Sequence, residues 1–455
     1  MLLTTVPRLT LDAPRADPAT IRETIEHEIR DIGYPRMALL PTAPFALPEQ
    51  VWNDMGEASV RLLGLVKRAL VESGASSRER LIALGADPAF YPLLTDDIEY
   101  EDGCADVFCR PDIILTESGP RFIELNVGGG FAGVVETHCR INAWKRLYAD
   151  AATSRMLDAH DPLKGRARYF AGFAEEHGYP AGVAIVGTIK ESVRPTHSTR
   201  YFDLDVDCLR AAGLEADFFD LEEMTHLRSS LSDQEYSLGY LHINPTDVLG
   251  LGLDLRGAVE ARKSVTFLAS QTGIMLGNKT ILAWLSAGMS WMNDDDRAFV
   301  DEYVPWTRVL QDREEIHDGR RVRLIPWALE NKDRLVVKRG FGGSANAVVL
   351  GSKCTKADWR TVVMQAVADG GWVLQERLEA RVLTAVILPN LDAQVLSARV
   401  SPLFSPFIFG NEHVGMYARF SKNLDGGIIS VHGSGSSDNV VVPIPTMPDR
   451  QEENK

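Results

Sequence analysis

Four polar residues at matched spacing carry the first sign of chemistry: Arg110-Pro-Asp112 and, further on, Glu124-Leu-Asn126. Gathered on one surface, an arginine, two carboxylates and a carboxamide offer oxygen ligands to a hard cation such as Mg²⁺ and a guanidinium fork to phosphate. The chain around them indicates how they would be gathered. The flanking stretches, rich in Ile, Leu and Phe, read as two strands, and Glu117-Ser118-Gly119 has the composition of a three-residue hairpin loop with glycine at its left-handed position. With Ser118 at the centre, Thr116 faces Pro120, Asp112 faces Glu124 and Arg110 faces Asn126, and alternation sends them all to one side. Pro111, Ile113, Leu115, Ile123, Leu125 and Val127 fall on the other side and can pack on a core. Asp and Asn are poor strand residues, and a local conflict of this kind points to a functional face rather than a solvated one.

A second block suits phosphate. Lys338 stands at the end of an apolar strand, Gly340, Gly342, Gly343 and Ser344 form a loop around Phe341, and a further strand runs to Leu350. Backbone N–H groups of such a loop can approach phosphates closely while the lysine supplies charge. No helix follows directly and no G-x-x-x-x-G-K-[ST] is present, so this is not a P-loop. Thr355 and Asp358 then begin a helix with Trp359, Val362, Val363 and Ala366 on its apolar side, and a strand through Gln375 and Glu376 to Leu378 comes next. Gly277-Asn278-Lys279 opens another apolar helix, which sets a lysine beside a helix N-terminus, where anions bind well.

Around these blocks, helices are expected over residues 19–32, 48–73 and 134–148. Residues 180–243 alternate strand and helix, with strands at 183–187, 216–220 and 240–243, as in a small parallel α/β layer. His197 and His242 lie in that layer and receive no role. The chain has 455 residues, 45% of them hydrophobic, enough for two or three domains. With 48 basic against 63 acidic residues the net charge is −15, and no basic block is long enough to follow a nucleic-acid backbone. No stretch approaches the roughly 20 apolar residues of a membrane span and no secretory pattern opens the chain, so neither nucleic acid nor membrane is an expected partner and a cytoplasmic location is expected. Five widely spaced cysteines, without C-x-x-C, indicate neither a disulfide framework nor a zinc site.

Strand, lysine, glycine loop, strand, helix and a strand ending in Gln-Glu resembles the nucleotide-gripping subdomain of the ATP-grasp superfamily. The resemblance implies that Lys338 contacts ATP phosphates, that Gly340, Gly342, Gly343 and Ser344 close over them, and that Gln375, Glu376 and Leu378 read adenine. Here the acidic residues precede this subdomain, an order that resembles the circularly permuted branch represented by glutathionylspermidine synthetase. Its R-x-D…E-x-N motif matches Arg110, Asp112, Glu124 and Asn126, the last three as Mg²⁺ ligands. From the α/β layer through Ser405-Pro-Phe-Ile-Phe-Gly, Tyr417-Ala-Arg419 and residues 428–433, the chain is closer to peptide ligases of the pheganomycin type. The likeness covers roughly residues 100–440.

The implied protein is an α/β ATP-grasp fold with α+β elements, circularly permuted, with a small Rossmann-like layer. Its parts would be an N-terminal helical segment (1–95), the metal-binding hairpin and following helices (96–178), the α/β layer (179–276), the nucleotide-gripping subdomain (277–390) and a substrate-side C-terminal segment (391–455). The implied reaction joins a carboxylate to an amine through an acylphosphate, with ATP and Mg²⁺. Its substrates would be an amino acid or short peptide, or a carrier protein as acceptor. Lys279 would assist at the phosphates, Arg110 would stabilise the transferring phosphoryl group, and Arg419, or else Arg399, would bind the substrate carboxylate. Two other classes remain open. Residues 128–133, between strand and helix, fit G-x-G-x-x-G with Asp150 at the distance of a ribose-binding acid, as in a nicotinamide enzyme. A non-catalytic nucleotide-binding protein would keep Lys338 without needing the full metal set.

Overall fold

The computed structural model describes residues 10–33, 39–190, 198–222, 224, 226–342, 348–389, 395–421 and 436–445. Its central element is a six-stranded sheet whose strands lie in the order Phe45–Pro48, Ser436–Ile444, Glu412–Ser421, Leu403–Phe409, Phe108–Thr116 and Gly119–Val127. Every pairing is antiparallel except that of Phe45–Pro48 with Ser436–Ile444.

Both faces of this sheet are covered, which is why its strands carry apolar residues on both sides. Helix Glu49–Val71 turns Trp52, Met55, Leu62, Val66 and Leu70 toward Ile113, Phe122, Leu125, Phe404 and Met416, the helical period of its apolar residues making one stripe. Helices Val134–Tyr148 and Pro162–His177 cover the other face with Trp144, Leu163 and Phe170 against Phe108, Phe407 and Phe409. Large aromatics fully withdrawn from water stand on both sides, Phe45, Phe122 and Phe404 on one and Trp144, Phe407 and Phe409 on the other, and their burial helps to hold the sheet.

The expected parallel layer is present. Its strands lie in the order Glu215–Asp220, Gly182–Gly187, Leu238–His242 and Thr266–Leu268, all parallel, with helix Arg200–Ala211 as the first crossover. A third, antiparallel sheet runs Val348–Leu350, Leu335–Arg339, Trp372–Glu376 and Thr307–Val309. Helix Lys356–Asp369, capped by the Thr355 hydroxyl accepting from the Asp358 N–H at 3.2 Å, packs Trp359, Val363 and Ala366 on Leu335, Val337 and Leu374.

The molecule is thus mixed α/β with several sheets. Both terminal segments contribute strands to the central sheet. The N-terminal segment is not purely helical: Phe45–Pro48 extends the central sheet, and Leu39–Pro41 pairs with Leu383–Pro389, itself paired with Leu396–Val400. Strands from the C-terminal segment lie beside the hairpin in that same sheet, because strand edges are satisfied by partners close in space rather than in sequence. Among the described residues no helix is long and apolar enough to cross a membrane.

Candidate functional site

The hairpin reaches the expected facing pairs by an unexpected route. Thr116 pairs with Gly119 and Leu115 with Pro120, so the turn is the two-residue Glu117-Ser118, while Gly119 takes a φ of +124°. Continued straight, this register would set Asp112 against Ile123. A β-bulge between Asp112 and Ile113 leaves Ile123 unpaired and moves the ladder by one, so that Asp112 faces Glu124 and Arg110 faces Asn126 after all. Phe122 consequently pairs with Ile113 and is fully buried, and Ile123 turns its carbonyl to the Lys338 ammonium, which donates to it at 3.2 Å.

Asp112 lies at the centre of the buried polar cluster. Its Oδ1 accepts the Ser405 hydroxyl at 2.7 Å and stands 3.7 Å from Arg110 Nε, and its Oδ2 accepts from Arg419. Burial alone would push this carboxyl up, but Arg419 and Arg110, with the Ser405 hydroxyl, hold it down at about 2. Burial alone would push the Arg419 guanidinium down, but Asp112, Tyr417 and Glu124 together outweigh it, so its pKa rises. Arg110 donates to the Ala132 carbonyl and Asn126 to the Arg110 carbonyl at 3.1 Å. The Arg110 guanidinium also lies 5.8 Å from the Phe131 ring centroid and 5.6 Å from that of Tyr417, both aromatics stacking on Phe407.

Two lysines reach the same place from other elements. Lys279, first residue of helix Lys279–Ala287, lies 3.3 Å from Glu124, and its backbone N–H donates to the Gly340 carbonyl at 2.8 Å. Lys338 is 5% exposed; burial pushes its ammonium down to about 8, with Glu124 opposing and Lys279 adding to the shift. Gly340 fits tightly against Asn278, Thr280 and Gly371, and Phe341 packs on Phe90 and Tyr91 of the N-terminal segment. Gly342 has a φ of +147°. Gly343 and Ser344 lie outside the described residues, as do His197 and residues 428–433.

Of the hinge positions, Gln375 is buried and donates to Thr307 Oγ1 at 3.1 Å. The Glu376 and Arg377 amides donate to the carbonyls of Trp306 and Arg334, and Leu378 follows directly. Arg399 is exposed on strand Leu396–Val400 and is not among the contacts of Asp112.

The glycines at 128–133 have a packing explanation that the sequence did not supply. A Cβ at Gly129 would run into the Leu241 carbonyl, one at Gly130 into the Ile243 carbonyl, and one at Gly133 would crowd Tyr417 and Phe407. They let the loop lie flat on the end of the parallel layer. The strand that precedes them is the edge of an antiparallel hairpin, not the first strand of a βαβ unit, and Asp150 caps helix Ala151–Ala159 by accepting from the Thr153 N–H. The dinucleotide fingerprint therefore lacks its supporting fold.

Type and spacing give Ser405 and Tyr417 no role, and the sequence marks them only within the C-terminal stretches that carry the resemblance. Their signal is positional only: Ser405 is the one hydroxyl in a strand otherwise built of Leu, Phe, Pro and Ile, and it sits fully buried opposite Tyr417. Among the described residues no group of three His, Cys, Asp or Glu side chains converges as a metal centre. The oxygen donors gathered here, Asp112, Glu124 and Asn126, are of the kind Mg²⁺ accepts when phosphate oxygens complete its shell, and they fit it in chemistry.

No family model and no curated protein matches this chain. Among solved structures it is similar to a glutathione synthetase-like effector from Globodera pallida in its apo form, at 13% identity, with 94% of this chain and 98% of that one covered and a TM-score of 0.54. The two share a fold. A candidate γ-glutamylcysteine synthetase from Methylobacillus flagellatus is also similar over 83% of this chain and 87% of its own, at 11% identity and a TM-score of 0.39.

Proposed function

We propose that this protein is an ATP-dependent ligase that joins a carboxylate to an amine through an acylphosphate, releasing ADP and phosphate. One observation carries the reading. Arg110, Arg419, Lys279 and Lys338 come from four separate elements and converge, almost wholly buried, on two carboxylates among the described residues, Asp112 and Glu124, in a chain whose net charge is −15. Such an excess of buried cations is tolerated where polyanions bind. The glycine loop after Lys338 and the fold shared with a glutathione synthetase-like protein support the same reading.

The chain is read as a circularly permuted ATP-grasp protein, since its metal-binding hairpin precedes the lysine and glycine-loop sheet. Lys338 and Lys279 grip the terminal phosphates, and Gly340, Gly342, Gly343 and Ser344 exclude water from them. With the Glu376 and Arg377 amides committed to protein carbonyls and the Gln375 side chain to Thr307, the adenine-reading part of the hinge falls to Leu378. Mg²⁺, held by Glu124, Asn126 and Asp112, would neutralise charge as the γ-phosphoryl group moves. Arg110 stabilises that group, Arg419 orients the acid, and the acylphosphate is then attacked by the amine of an amino acid, a short peptide or a carrier-bound group.

The test is which phosphate bond breaks. Incubation with ATP, Mg²⁺ and a panel of amino acids and short peptides, with hydroxylamine replacing the amine, should give a hydroxamate with stoichiometric ADP. AMP and pyrophosphate would contradict the roles given to Lys338 and the hairpin together.

A further inference from the structure

Asp112 has both carboxylate oxygens occupied by protein. Ser405 and Arg110 hold one and Arg419 the other, from three different positions in the central sheet. A carboxylate only 2% exposed needs such partners, since a buried charge left alone is strongly disfavoured. It cannot serve a cation fully while all of them remain.

The arginines, by contrast, are not saturated. Among the described residues Arg419 Nε, itself buried, has no hydrogen-bond acceptor, and Arg110 Nε reaches Asp112 only at ion-pair distance, 3.7 Å. A guanidinium with an unused donor suits a second carboxylate, which can take two parallel N–H bonds from one fork. Glu124, the neighbour of Asp112 across the hairpin, is held by Lys279 at 3.3 Å.

We propose that Asp112 is an exchangeable ligand, latched to Arg419 in the free protein and released to a divalent cation when a substrate carboxylate takes Arg419. The identity of that carboxylate as the acid substrate rests on the ligase reading above. Exchange makes the two ligands cooperative: by linkage, the carboxylate tightens the cation by the factor with which the cation tightens the carboxylate. The metal set would then be completed only when the acid is present, which disfavours loss of the γ-phosphate to water in its absence.

The direct test omits ATP and reads free Mn²⁺ by electron paramagnetic resonance in wild type, Arg419→Met, Asp112→Asn and the double variant. Arg419→Met should bind Mn²⁺ about tenfold more tightly than wild type, and the gain should vanish in the Asp112→Asn background. Unchanged affinity, or a gain that persists without Asp112 as simple loss of positive charge would, overturns the exchange. Should Arg419→Met fail to fold, Ser405→Ala loosens the same latch, and it must raise Mn²⁺ affinity by a measurable factor of about two or three; no change overturns the proposal equally. Failure to trap a hydroxamate would reject the ligase reading without touching this cycle, and an additive cycle would reject the exchange while leaving that reading in place.

Discussion

Lys338 is a buried ammonium whose proton is already loosened, its pKa pushed down to about 8. Phosphates at its Nζ would favour the charged form and raise that value. Binding of ATP above pH 8 should therefore draw a proton from solvent. Calorimetry in buffers of different ionisation enthalpy should show uptake approaching one proton near pH 9, with affinity flat below pH 8 and falling above it; Lys338→Met should abolish the uptake. Folding stability has the opposite trend. Between about 8 and the ordinary 10.5 the unfolded chain holds a proton that the fold has released, so this group adds stability as pH rises through that window. At this scale the sequence was informative where residue type and spacing coincide, as for Arg110, Asp112, Glu124 and Asn126. Ser405 stands in a stretch that carries the resemblance but receives no role from it, because one serine in an apolar strand carries no periodic signal, and only the packing of Leu403–Phe409 beside Phe108–Thr116 brings it to Asp112.

At the scale of elements, the facing pairs were legible for a reason the sequence concealed. A two-residue turn and a bulge each shift the register by one, in compensating directions, so a three-residue loop with straight strands yields the same pairs at Asp112 and Arg110. The bulge is not silent in effect, since its unpaired Ile123 offers the carbonyl on which Lys338 rests. The glycines at 128–133 show the converse case, a motif with the right composition and a different cause. Gly130→Ala places a methyl group against the Ile243 carbonyl and forces backbone to move, which should cost about 1–3 kcal/mol. The expected result is a lower melting temperature with nucleotide preference unchanged. A variant of normal stability that has lost binding to NAD would restore the dinucleotide reading.

For the whole molecule, the sequence displayed the layers but not their joins. Each βα or β-hairpin unit announces itself through local periodicity, whereas the pairing of Phe45–Pro48 with Ser436–Ile444 spans almost the full chain and has no local trace. The cluster around Asp112 and Glu124 depends on those joins: the central sheet supplies Arg110 and Arg419, helix Lys279–Ala287 supplies Lys279, and the sheet containing Leu335–Arg339 supplies Lys338. A ligand that fills it touches separate layers at once and is available only to the folded state. ATP with Mg²⁺ at about 100 times its dissociation constant should therefore stabilise the fold by about 2.7 kcal/mol, seen as a rise in melting temperature. Lys338→Ala should shrink the rise by weakening binding, with little change in the unliganded melting temperature, because the residue removed is a charge that burial opposes. NAD or NADP at equal concentration should leave the transition where it is. A rise with the dinucleotide and none with ATP would mean that the four cations serve another anion, and that the convergence on Asp112 and Glu124 is not a nucleotide site.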